Sequence, residues 1–365
     1  MDKFGRRTFL RLMGEAAALL CIGLSRKKAL ARTGGKISKK RSKRITVEEH
    51  ISSGEFADFI ATLEGEKQGP MPPMPMKQGG GFQSNVDVIG DIANIDMRLK
   101  DMDENGIDMQ VLSWRSSTPE HFDVKNGIIW SRKINDTLAE LVNRYPGRFA
   151  AFSSIPWQDP KAAVAELERA VKELGLKGIK RDGNIKGEYL AGKKYWPVFK
   201  KAEELGTPIF IHIGGGGGEP SMKESPEGLG LSMAGETDVT VYAAHLIGSG
   251  LFDECPKLKI ILGHMGAGLP FWAKRLDDRA GGRLGLKKKP SEYIKENFYV
   301  ATSGNCYHPA LMCCLQAVGA DHILFAVDFP SDSNREAVEF MESADISDGD
   351  KEKIYHLNAE RIFSL

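Results

Sequence analysis

Five side chains in this 365-residue sequence could share one piece of metal chemistry: Glu48, His50, His212, His264 and Asp328. Each stands at the end of a short apolar run. The first run closes on Val47-Glu48-Glu49-His50. In a strand, residues i and i+2 point the same way, so Glu48 and His50 converge while Glu49 points outward. A carboxylate beside an imidazole is half a site for a divalent cation. Alone, that pair says little, because one histidine at a strand end is more often structural. Three more runs end alike, on His212, His264 and Asp328, each shortly before Gly or Phe-Pro. Polar groups at such positions are costly to bury unpaired. Separate strands delivering His, Asp or Glu to one rim therefore point to function. The remaining histidines, His121, His245, His308, His322 and His356, fall on loops or helices. They read as surface or core residues, with His245 and His308 as candidate pocket liners.

These residues need a scaffold that gathers strand ends. From residue 44 onward, β-rich runs at 44–50, 107–113, 148–155, 177–180, 208–213, 258–264, 298–303 and 323–328 alternate with helical spacings. Several runs are continuously apolar, as parallel strands buried on both faces are. Ile92, Ile95, Leu99 and Met102 show helical spacing, as do Val164, Leu167, Val171 and Leu174. Eight such strands alternating with helices predict a (β/α)8 TIM-type barrel, an α/β fold in one domain. A doubly wound sheet would normally carry Gly-x-Gly-x-x-Gly after its first strand, and none is there. Two irregular segments follow predicted strands: 68–81, rich in Pro, Met and Gly, and 214–232, opening with five glycines. Both are expected on the C-terminal face, where barrel active sites are built. The glycine run is no phosphate loop, since Glu219-Pro220 stands where Lys-Ser/Thr is required.

Residues 1–43 read differently. Arg6-Arg7-Thr8-Phe9-Leu10, an apolar stretch at 16–24 and Ala29-Leu30-Ala31 form a twin-arginine export pattern, followed by a basic linker. The apolar stretch is too short to span a bilayer, which takes roughly 20 residues. The expectation is export, with a periplasmic destination and no stable membrane anchor. Net charge is +1, so bulk charge gives no pull on nucleic acid. No Cys-x-x-Cys pair occurs among the five cysteines, which argues against a thiolate zinc site. Cys255, Cys306, Cys313 and Cys314 are expected as free thiols that pack as buried small hydrophobes.

The blocks Glu48-x-His50, His212, Ile261-Leu262-Gly263-His264-Met265-Gly266, Thr302-Ser303-Gly304-Asn305 and 323–328, in that order, resemble the amidohydrolase-related family that includes aminocarboxymuconate semialdehyde decarboxylase. The Glu-Glu-His opening and Ser249-Gly250-Leu251-Phe252-Asp253-Glu254 are most similar to its γ-resorcylate and 5-carboxyvanillate decarboxylases. The resemblance runs from about residue 44 to the C-terminus. It implies Glu48, His50, His212 and Asp328 as metal ligands and His264 as the catalytic histidine. It implies that Arg275 lies near the substrate. It also marks two departures. Ala267 stands where the subgroup carries a Glu that would hold the histidine's other nitrogen, and Asp182, beside Lys180, stands where Asn is expected.

The resemblance implies one divalent ion per chain, Zn²⁺ or Mn²⁺, a small-molecule substrate and a homo-oligomer. Two reactions fit the same residues. In a carboxy-lyase, the ion orients a small carboxylic acid, aromatic ones included, while Asp328 or His264 protonates the carbon that loses CO2. In a hydrolase of an ester, lactone or amide, the ion acidifies a bound water and the same two residues relay its proton. Ala267 and Asp182 lean toward the second, the whole-chain similarity toward the first. A non-catalytic binding protein would not need an intact ligand set.

Overall fold

The computed structural model describes residues 41–67, 89–115, 119–184, 187–213 and 233–365. The export pattern and the segments expected at 68–81 and 214–232 lie outside the described residues. Residues 43–365 form one compact unit. Its strands are β1 (Ile45–Ile51), β2 (Met109–Trp114), β3 (Phe149–Ala151), β4 (Ile179–Asp182), β5 (Ile209–His212), β6 (Ile260–Leu262), β7 (Phe298–Ala301) and β8 (Ile323–Leu324). All neighbouring pairs are parallel, in ladders β1-β2-β3 and β4-β5-β6-β7-β8.

The two ladders meet at two seams. Between β3 and β4, Ser153 bridges Ile179, and the Ser153 N–H donates to the Gly178 carbonyl at 2.7 Å. Between β8 and β1, Glu49 bridges Phe329, and the Asp328 N–H donates to the Glu48 carbonyl at 2.9 Å. The strands thus follow one another around a TIM-type barrel, with helices between them.

The apolar residues divide into two packed sets. Val47, Val111, Phe152, Phe210, Ile261, Tyr299 and Leu324 fill the barrel, closed below by Phe363 of the last helix, Asn358–Phe363. Ile51, Leu112, Ile179, Ile211, Leu262 and Phe325 face outward onto the helices. The helix Pro160–Lys172 shows how those helices form. Asp159 caps it by accepting the N–H groups of Lys161 and Ala162, Pro160 starts it, and Leu167 is buried on the face turned to the strands. Of its expected stripe, Leu174 lies just past the helix end but still packs on the core. Of the four cysteines expected as buried free thiols, Cys255 and Cys314 are buried, but Cys306 is exposed and Cys313 half-buried.

Strand β1 departs from simple alternation. Thr46 pairs with Gln110 but Glu49 pairs with Leu112, so β1 carries one extra residue there. Below the irregularity Ile45 and Val47 fill the barrel; above it Glu48 and His50 do. The extra residue turns both ligand candidates inward.

Candidate metal centre

Glu48, His50, His212 and Asp328 come together at the mouth of the barrel, each offering a ligand atom within 4.8 Å of all the others. His50 Nε2 lies 2.9 Å from Asp328 Oδ1 and 3.0 Å from His212 Nε2. His212 Nε2 lies 3.4 Å from Glu48 Oε1. Burial, followed by the charge of Lys180, holds His50 neutral by pushing its pKa down to about 3. Burial and then His50 lower His212 as well. Ser113 Oγ lies 2.8 Å from His50 Nδ1, where it can accept a hydrogen bond from the ring N–H and leave the Nε2 lone pair facing the cluster. Two neutral imidazoles and two carboxylates converging at contact distance suit a cation between them better than one another. Mixed His/carboxylate donors fit Mn²⁺ or Zn²⁺.

Glu48 is the hub. Burial alone would raise its carboxyl, but His264, His212 and His50 outweigh that and hold it at about 2. Its Oε1 lies 3.1 Å from His264 Nε2, while Ser303 Oγ donates to its Oε2. The same Ser303 Oγ accepts the His264 backbone N–H at 3.1 Å. Asp328 is buried, which pushes its carboxyl up to about 6.

His264 stands beside the cluster with its ring between two carboxylates. Nε2 faces Glu48, and Nδ1 lies 2.8 Å from Glu236 Oε1. Burial opposes its charge, but Glu48 and Glu236 prevail and raise its pKa well above the usual histidine value. Its backbone is left-handed (φ 54°), as is that of Asp328 (φ 74°). Such backbone persists only where the surroundings determine it. The space is also tight: a Cβ on Gly304 would stand 2.6 Å from His264 Nδ1, and one on Gly263 2.6 Å from Glu48 Oε2.

Glu49 does face away from the barrel interior but is fully buried. It accepts the Val327 and Phe329 N–H groups at 3.2 Å and the Gln110 amide at 3.3 Å. Arg98 donates to Gln110 Oε1 at 2.9 Å and to the His50 carbonyl. This network braces β1, β2 and the end of β8 from behind.

Lys180 and Asp182 alternate inward on β4, with Lys180 Nζ 2.6 Å from Asp182 Oδ1. Asp182 approaches the cluster, 3.8 Å from His212 Nδ1. Arg275 does not join them. It is exposed on the helix Leu269–Arg279, whose buried residues lie at its other end, and it has no hydrogen bond or ion pair to the described cluster. Strand-end reasoning also missed Glu236, Ser303 and Ser113 as partners of the site. His121, read as a surface or core residue, stands with Nε2 3.6 Å from Asp182 Oδ2. His245 packs at a tilt against Tyr189, and His308 stacks on Phe340.

A family model described as Amidohydrolase matches residues 90–365. The chain belongs to the amidohydrolase family. This amidohydrolase is 37% identical over 286 residues to a γ-resorcylate decarboxylase of Polaromonas sp., covering 74% of this chain and 87% of the relative. A solved dihydroxybenzoic acid decarboxylase from Polaromonas sp., with bound manganese and the inhibitor 2-nitroresorcinol, is 33% identical with a TM-score of 0.76, covering 89% of this chain and 98% of that one. A solved 5-carboxyvanillate decarboxylase from Sphingomonas paucimobilis is 29% identical with a TM-score of 0.79, covering 89% and 100%. Among the described residues, no helix of the amidohydrolase is long and apolar enough to cross a membrane.

Proposed function

We propose that this amidohydrolase is a non-oxidative decarboxylase of a small hydroxylated aromatic acid, with Mn²⁺ held by Glu48, His50, His212 and Asp328. The observation that carries the reading is His264, gripped at both ring nitrogens beside a complete ligand set. Held by Glu48, His50, His212 and Asp328, a divalent ion would supply Lewis acidity to the bound acid. His264, whose pKa the carboxylates of Glu48 and Glu236 raise, is placed to act as a proton donor. Asp328, whose carboxyl burial raises, is the second group that can pass a proton to the ring carbon as CO2 leaves. The buried walls around Glu48 exclude water and strengthen each of these interactions.

Ala267, where the related decarboxylases carry Glu, does not leave His264 without a second partner. Glu236 supplies that partner from another element, so Ala267 does not favour hydrolysis over decarboxylation. The test is CO2 release by the manganese-loaded protein from 2,6-dihydroxybenzoate, 5-carboxyvanillate and related acids, with esters and lactones alongside. CO2 from none of the acids, with turnover of an ester or lactone, reverses the reading.

Residues 1–43 are proposed to direct export by the twin-arginine route, leaving the catalytic barrel to residues 44–365. Fractionation with an Arg6→Lys/Arg7→Lys variant tests this. A homo-oligomer is proposed as well, supported by Phe271 and Trp272, which are 73% and 43% exposed on the helix Leu269–Arg279. Light scattering of the eluting protein decides that point.

A further inference from the structure

We propose that Glu120, His121 and Asp182 form a second site for a divalent transition-metal ion such as Mn²⁺ or Zn²⁺, beside the first. Glu120 and His121 lie on the single turn Pro119–His121 that follows β2, and Asp182 ends β4. Each offers a ligand atom within 4.8 Å of the other two.

The spacing is that of ligands. His121 Nε2 and Asp182 Oδ2 are 3.6 Å apart, beyond a normal hydrogen bond. Two donors each at about 2.0–2.2 Å from one ion stand roughly 3–3.6 Å from each other. Lys180 takes the other oxygen of Asp182, at 2.6 Å, and leaves Oδ2 turned to His121.

Glu120 gives the independent sign of a missing ligand. It is 2% exposed. Its Oε1 accepts the Asp182 N–H at 3.0 Å, while Oε2 is buried with no hydrogen-bond partner. A buried carboxylate oxygen without a partner is costly and rare. A cation held with His121 and Asp182 would give this carboxylate the partner it lacks. Burial and the nearby Asp182 charge both raise the Glu120 carboxyl, a strain that an added cation relieves.

The two sites are neighbours without sharing a ligand. Asp182 Oδ1 stands 3.8 Å from His212 Nδ1, and the far nitrogen of that ring faces the first site. A second ion would add positive charge to the β4 wall of the pocket. The proposal holds whichever reaction the first site runs.

The test counts metal and does not read activity. The full-length protein is stripped with a chelator and dialysed against rising Mn²⁺ or Zn²⁺ alone, with metal per chain measured by elemental analysis. Wild type should fill in two classes and approach two ions per chain. Glu120→Gln, which keeps the shape, and His121→Ala, whose side chain is 19% exposed, should each stop near one. His212→Ala should lose an ion from the first class and keep the second. With Mn²⁺, the wild-type resonance spectrum should show coupling between two ions, absent in both variants. Saturation of wild type at one ion per chain overturns the proposal. So does a second ion retained by both Glu120→Gln and His121→Ala.

Discussion

Glu236 Oε1 lies 2.8 Å from Nδ1 of His264, on the opposite side of the ring from Glu48. A partner on the far nitrogen fixes ring orientation and protonation, and losing such partners typically costs about 10- to 100-fold. Glu236→Gln is expected to lower kcat by that factor with KM and bound metal unchanged. Steady-state kinetics with metal analysis check it. Unchanged kcat would remove Glu236 from the machinery.

His50→Ala and His212→Ala should each strip the first-site metal, because each removes one of the four donors found among the described residues. Metal per chain in the purified variants is the measurement, and first-site metal retained in either sinks the ligand assignment. Chelation of wild type should abolish turnover, and Mn²⁺ should restore it.

His264→Asn leaves those four donors in place. Metal content should hold while kcat falls by about 10²–10⁴, the usual worth of a positioned acid or base. If turnover survives, Asp328 carries the proton and Asp328→Asn should then be the inactive variant.

Gly304 has φ 62°, and a Cβ there would sit 2.6 Å from His264 Nδ1. Gly304→Ala should displace the ring from Glu236 and reduce kcat strongly. The left-handed backbone adds a stability cost of about 1 kcal/mol. A fall in kcat far larger than that stability change, read by thermal melting, is the expected signature.

Behind the ligands, Arg98 is fully buried and donates to Gln110 Oε1 and the His50 carbonyl, while its charge only partly offsets the burial that raises the Glu49 carboxyl well above the usual range. Arg98→Met should cost about 1–3 kcal/mol, because it leaves buried Gln110 Oε1 and the His50 carbonyl without their donor. Urea unfolding measures this. Adding Glu49→Gln should recover part of the loss, and strict additivity of the two changes would show that the residues act separately.

Much of this molecule was legible in the residue order. Continuous apolar runs mark strands buried on both faces, and each of the eight expected runs contains or overlaps a strand of the barrel. Strand ends in such a barrel share one rim, so Glu48, His50, His212 and Asp328 could be grouped across a separation of 280 residues. Those inferences rest on backbone periodicity, which is local and repeats. What tertiary structure decided lies off the strands. Glu236 reaches His264 from the first turn of the helix Gly235–Gly248, and Glu120 and His121 reach Asp182 from a three-residue turn; no periodicity relates such segments. Arg275 shows the converse, since a matching position on a helix says little about which way its side chain faces. The extra residue in β1 is likewise settled by pairing with β2, because register is a property of two strands and not of one.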